Sequence, residues 1–272
     1  MLTDRYKCIF LEFALLFSVP LVLAVCLLFS QDLFVVSIAA TNLALVYFYI
    51  MTFKPQNHFV IAGCSAICLI FPLLFYYLFD TFQTDALIVP FASLIGVVLL
   101  VSFGFQIFRN DHSNTLQTVV HSVALSLVVC ATLGYLLAKD ILDHSAILTV
   151  IFALLIWSML GAINLFLYGV LFLLKKKPFD DLQFLLTNSG LLFLASIGIF
   201  FLLNFLFSNL PPIAVPQFII ILIGVICVNF TNHRQFASGV YYYAATFRAL
   251  FPVAISGVVV YLTCAYTGAG GF

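Results

Sequence analysis

The sequence predicts an all-α protein, a polytopic transmembrane helix bundle of about nine spans, with its N-terminus in the cytoplasm and its C-terminus outside. Three observations predict it. Apolar runs of about 20 residues, enough for a helix to cross a hydrocarbon core, recur nine times along the 272 residues. Charged residues make up only 7% of the chain and hydrophobic ones 65%, against about 25% charged in a soluble domain, so water is not the solvent this chain is built to meet. The basic residues segregate to alternate loops, and Lys and Arg favour the cytoplasmic side.

The expected spans are 8–30, 33–53, 58–79, 87–108, 117–138, 146–174, 183–207, 212–231 and 249–268, each bounded by charge, proline or a polar cluster. The first is not a cleavable signal, because its apolar run is too long and no small-residue cleavage site ends it. Cys26 follows Leu23-Ala24-Val25 in the manner of a lipoprotein site, but the run continues through Leu27 and Phe29. The sixth run is long enough to tilt or to continue as an interfacial helix. Pro20, Pro72, Pro90 and Pro252 fall inside spans, where neighbouring groups satisfy the carbonyls they free. Continuous rather than alternating apolar runs favour helices over barrel strands. One domain, residues 1–272, accounts for the chain, since it has no hydrophilic insert, no Gly- or Ser-rich linker and no internal repeat.

The N-terminal tail and every second loop after it hold Arg5, Lys7, Lys54, Arg109, Lys175, Lys176, Lys177, Arg234 and Arg248, and the other loops hold Lys139 alone. The acids show no such split, as expected of residues that contribute little to orientation. Dropping or adding an interior crossing would scramble this segregation. Ten cations balance ten acids, so net charge suggests no nucleic-acid partner.

The seven cysteines lie in or beside apolar runs and read as packing residues. Cys64 and Cys68 share a helix face at i, i+4, but no zinc-site spacing follows. Ionisable groups within spans are functional candidates by default. Glu12, one turn into the first span, is the clear acid, and the plain reading is that it reaches the interface or pairs with Arg5 or Lys7. A chain of acids at mid-bilayer, as in a proton pump, is absent. His121 opens the fifth span, where a hydrogen bond to a neighbouring helix is its plain role. Asn42, Asn164, Asn188, Asn204 and Asn229 serve either as hydrogen-bonding glue between helices or as a polar path for a ligand. Tyr241-Tyr242-Tyr243 reads as an interfacial aromatic belt or a short helix lying on the membrane.

The candidate site is the cytoplasmic face. Arg109, Lys175, Lys176, Lys177, Arg234 and Arg248 converge there and suit an anionic headgroup, because Lys and Arg bind phosphate. The same residues also serve simply as positive-inside anchors on anionic lipid. Asp180-Asp181 lacks the partner motif a magnesium site needs. No phosphate loop, nucleophile elbow or zinc-protease motif is present, so no catalytic, cofactor-binding or metal residue is assigned, and whether the chain is an enzyme stays open.

A charged turn at Arg109–Asn114 stands before Leu116-Gln117-Thr118-Val119-Val120, followed by Trp157 and Tyr168-Gly169, a basic loop with Pro178, and Arg248 leading into a last span with Pro252. In this layout the fourth to ninth spans resemble the phosphatidate cytidylyltransferase (CDP-diacylglycerol synthase) family. The resemblance covers about half the chain and implies lipid chemistry at the cytoplasmic face. The family's magnesium-holding acids are missing: Trp157 to Gly169 contains none, and no Asp or Glu follows Asp181. The family's His-Gly-Gly segment is also missing, and a member so altered would be inactive in that reaction.

Three functions follow as expectations. The first is a lipid-handling protein that binds phosphorylated, anionic membrane lipid at the cytoplasmic face. The second is a transporter or channel for a small uncharged solute. The third is a non-catalytic subunit or scaffold with a membrane-protein partner. Short loops and the lack of a targeting peptide point to a bacterial inner membrane.

Overall fold

The computed structural model describes residues 2–79, 96–105, 115–140, 144–173, 181–207, 214–235 and 242–268. Nine helices account for nearly all of them: α1 (Leu2–Phe29), α2 (Gln31–Phe53), α3 (His58–Phe79), α4 over the stretch Gly96–Phe105, α5 (Thr115–Asp140), α6 (His144–Leu173), α7 (Asp181–Leu206), α8 (Ala214–Gln235) and α9 (Tyr242–Gly268). Six of these, α1, α2, α5, α6, α7 and α9, are long and apolar enough to cross a membrane, and α3, α4 and α8 contribute shorter apolar stretches.

The helix ends have local causes. Ser30, in extended conformation, separates α1 from α2. Lys54 then stops α2: Pro55 disfavours a helical conformation in the residue before it, and Lys54 adopts the left-handed one (φ 45°) while its N–H reaches the Ile50 carbonyl at 2.8 Å. The sixth apolar run is one continuous helix of 30 residues. Tyr242 and Tyr243 are the partly exposed first residues of α9 rather than a separate surface helix.

α9 lies at the centre, against α1, α2, α5, α6 and α8, while α1 runs along α6 and α5 along α9. Two crossings are close enough to require glycine. A Cβ on Gly161 of α6 would overlap the Phe17 backbone of α1. A Cβ on Gly134 of α5 would overlap the Gly257 carbonyl of α9, and one on Gly257 would overlap the Ala131 carbonyl. Without a hydrophobic drive between helices in lipid, such close backbone approach is a main source of association. Ser158 donates to the Phe17 carbonyl at 2.9 Å beside the first crossing. Near the second, fully buried Trp157 donates through Nε1 to Ser256 Oγ at 2.8 Å, and Tyr135 hydrogen-bonds both Ser256 and the Val253 carbonyl. On the other side of α6, Phe152 stacks on Phe218 of α8, with centroids 4.1 Å apart.

Candidate functional site

Side-chain contacts show which helix ends meet. Arg248 near the start of α9 touches Glu12 near the start of α1. Tyr49 near the end of α2 touches His121 near the start of α5. Asn57, beside the start of α3, donates to Thr118 of α5 at 2.7 Å. Phe13 of α1, Tyr168 late in α6 and Phe184 early in α7 form one aromatic cluster, with centroids 5.0 to 6.4 Å apart. Ser102 late in α4 lies 3.5 Å from Cys64 early in α3. At the other end Thr149, early in α6, donates to Gln217, early in α8. The helices therefore alternate in direction, and the starts of α1, α3, α5, α7 and α9 share one end of the bundle with the ends of α2, α4, α6 and α8.

Among the described residues, that shared end carries several buried polar side chains that reach between helices. Its centre is the ion pair of Arg248 Nε and Glu12 Oε2 at 2.9 Å, with side chains 10% and 18% exposed. Glu12 thus takes a partner from α9, while the side chain of Arg5 lies outside the described residues. A neutralised pair is tolerated within an apolar helix, where a lone charge is not. α9 accordingly runs through Arg248 and begins at Tyr242, a full turn and more before the expected start at 249. Next to Arg248, Phe247 packs on Tyr49 and Phe53 of α2. The Tyr49 hydroxyl and His121 Nδ1 form a hydrogen bond of 2.6 Å, the interhelical role expected of that histidine.

Of the candidate headgroup residues, Arg109, Lys175, Lys176 and Lys177 lie outside the described residues. Arg234 falls in the last turn of α8, its side chain outside the description. Arg248 is buried against Glu12. The span amides behave differently from one another: Asn188 donates to Asn164 across α7 and α6 at 3.1 Å, whereas Asn42 is buried with no partner. Asn204 and Asn229 are not fully enclosed.

Compared with protein-family models, curated proteins and solved structures, the chain matches none. The site therefore stands on its own geometry. Among the described residues no three His, Cys, Asp or Glu side chains come together as a metal site would require, and the seven cysteines are free thiols. Between α1 and α2 a groove of about 250 Å³ is lined by Ser18, Val19, Val22, Ser37, Ala40 and Thr41. Its surface is effectively apolar, because Ser37 and Thr41 donate to the Leu33 and Ser37 carbonyls of their own helix at 2.7 and 2.8 Å. No reading of the sequence singled out this groove, since its lining comes from two helices and contains no motif.

Proposed function

We propose that the chain is an integral membrane protein that crosses the bilayer nine times with its N-terminus in the cytoplasm, and that it holds the phosphorylated headgroup of an anionic lipid at its basic end. The observation that carries this reading is charge placement along alternating helices. By their order in the sequence, nine cations and five acids fall in or beside the tail and alternate loops assigned to the cytoplasmic side, against one cation and five acids in or beside the other loops. One of the five acids at the basic end, Glu12, is already engaged by Arg248. That leaves the lysines and arginines of the loops in excess, and such residues are suited to phosphate. Basic residues at an anionic leaflet gain about 1 kcal/mol each. The groove between α1 and α2 supports the same reading: it is apolar, opens along the bundle's side, and lies on the two helices that carry Glu12 and Tyr49 at the basic end. An acyl chain suits it better than a polar ligand does.

The test is lipid retention by the purified protein in nanodiscs that contain phosphatidic acid. Changing Lys175, Lys176 and Lys177 to Gln is expected to weaken retention about tenfold; unchanged retention overturns the headgroup assignment. Topology is checked separately by tagging both ends, which are expected in opposite compartments.

A further inference from the structure

Asn42 is fully buried on the face of α2 that also presents Ile38, Leu45 and Tyr49. Neither its amide nitrogen nor its carbonyl oxygen has a hydrogen-bond partner. Two more buried groups in the same state, the Ser122 and Ser126 hydroxyls, lie on α5. Ser126 has beside it the thiol of Cys68 from α3, a weak donor and acceptor whose geometry leaves the hydroxyl unsatisfied.

These groups share a neighbourhood. α2, α3 and α5 pack pairwise against one another, and the Tyr49–His121 hydrogen bond fixes the register of antiparallel α2 and α5. At 1.5 Å per residue, Asn42 lies about 10 Å from that bond along the bundle and Ser126 about 7.5 Å, in the same direction. Ser122 sits just inside it. Buried polar groups in proteins are almost always paired, and a concentration of orphans marks a place where something else supplies the partners.

We infer that Asn42 and Ser126 form an internal binding site, at the junction of α2, α3 and α5 and with Ser122 at its edge one turn nearer the basic end, for a small uncharged hydroxylic molecule, either bound water or a polyol. The amide offers two donors and an acceptor, and each hydroxyl offers one donor and lone pairs, so the occupant must both donate and accept. The charged residues of α2, α3 and α5, Asp32, Lys139 and Asp140, stand at helix ends, so the lining is neutral and suits a neutral occupant. Towards the basic end the site is closed by the Tyr49–His121 and Asn57–Thr118 hydrogen bonds. Towards the other end α2 continues through buried Ile38 and Phe34. The site is separate from the headgroup reading and stands whether or not that reading holds.

The test is thermal unfolding of the full chain in detergent, for Asn42→Leu, Ser122→Ala, Ser126→Ala and the double variant Asn42→Leu/Ser126→Ala. In an occupied site the changes at Asn42 and Ser126 each remove hydrogen bonds to the occupant, so Tm is expected to fall by about 3 °C, and by less for Ser122→Ala at the edge. The double variant is expected to fall by less than the two single shifts combined, because both side chains hold the same molecule. In an empty site each change removes an orphan polar group, so Tm stays level or rises, and that result overturns the inference. The serine variants keep the test intact if Asn42→Leu does not fold. Repeating the series with added glycerol separates the sources. A Tm rise specific to the unaltered chain identifies a polyol, and equal rises in all variants, with the single-variant losses retained, identify water.

Discussion

Arg248 of the last helix meets Glu12 of the first, 236 positions away in the chain, Nε to Oε2 at 2.9 Å. This pair ties the two helices together at the end of the bundle where Tyr49 and His121 join α2 to α5. Removing one member of a largely buried pair leaves the other without compensation.

Arg248→Leu is therefore expected to destabilise the protein by about 3 kcal/mol, read as a loss of unfolding free energy in a denaturant titration. The double change Glu12→Leu/Arg248→Leu is expected to recover most of that loss, since apolar replacement of both members of such a pair is often neutral. A double variant as unstable as the single one would show that Arg248 acts mainly through other contacts.

Ser256→Ala is expected to cost about 1–3 kcal/mol. Ser256 Oγ accepts the indole N–H of Trp157, which would be left unpaired in the core. Tyr135 keeps the Val253 carbonyl at 2.9 Å, so the damage falls on Trp157, and a change in its fluorescence should accompany the loss of stability.

Two glycines give opposite expectations. Gly257→Val is expected to cost at least about 3 kcal/mol or to block folding, because overpacking alone costs 1–3 and here the obstacle is backbone of α5. Gly190→Ala, where nothing lies within contact distance, is expected to raise stability by about 0.5–1 kcal/mol through helix propensity. Comparison of the two melting temperatures checks both.

Lys54→Gly is expected to stabilise by about 1 kcal/mol. A left-handed conformation costs a side-chain-bearing residue roughly 1–2 kcal/mol, and Lys54 holds it at the end of α2. No gain in Tm would mean that the lysine side chain makes a compensating interaction at that face.

The helices were legible in the sequence because a lipid-facing backbone must bond within itself, which leaves long unbroken apolar runs. The expected span 33–53 and the helix Gln31–Phe53 differ by two residues, and the expected 58–79 coincides with His58–Phe79. The start of α9 was not legible, because Arg248 reads as a span boundary and its partner Glu12 lies at the far end of the chain. Pairing among polar groups was not legible either. Asn164, Asn188 and Asn42 look alike as amides within apolar runs, yet two bond each other and one has no partner. Nor does sequence distinguish Gly134, Gly161 and Gly257, which sit at helix crossings, from Gly63 and Gly190, which face open space. These are properties of which helices become neighbours, and periodicity within one helix carries no record of that. The basic cluster was legible as composition. In three dimensions its one fully described member, Arg248, turned out to be held by an acid.

The central position of α9 has a consequence for how the molecule is made. Ribosomes deliver α1 through α8 before the helix that most of them surround. Until it arrives, Glu12 has no Arg248, Trp157 has no Ser256, and the glycine notch at Gly134 is empty. At about 5–20 residues per second, the carboxylate of the first helix spends on the order of ten seconds or more in a half-built assembly. Completion of the packed core thus waits on α9, and a chain stopped short of it would leave Glu12 and the seam at Gly134 without their partners.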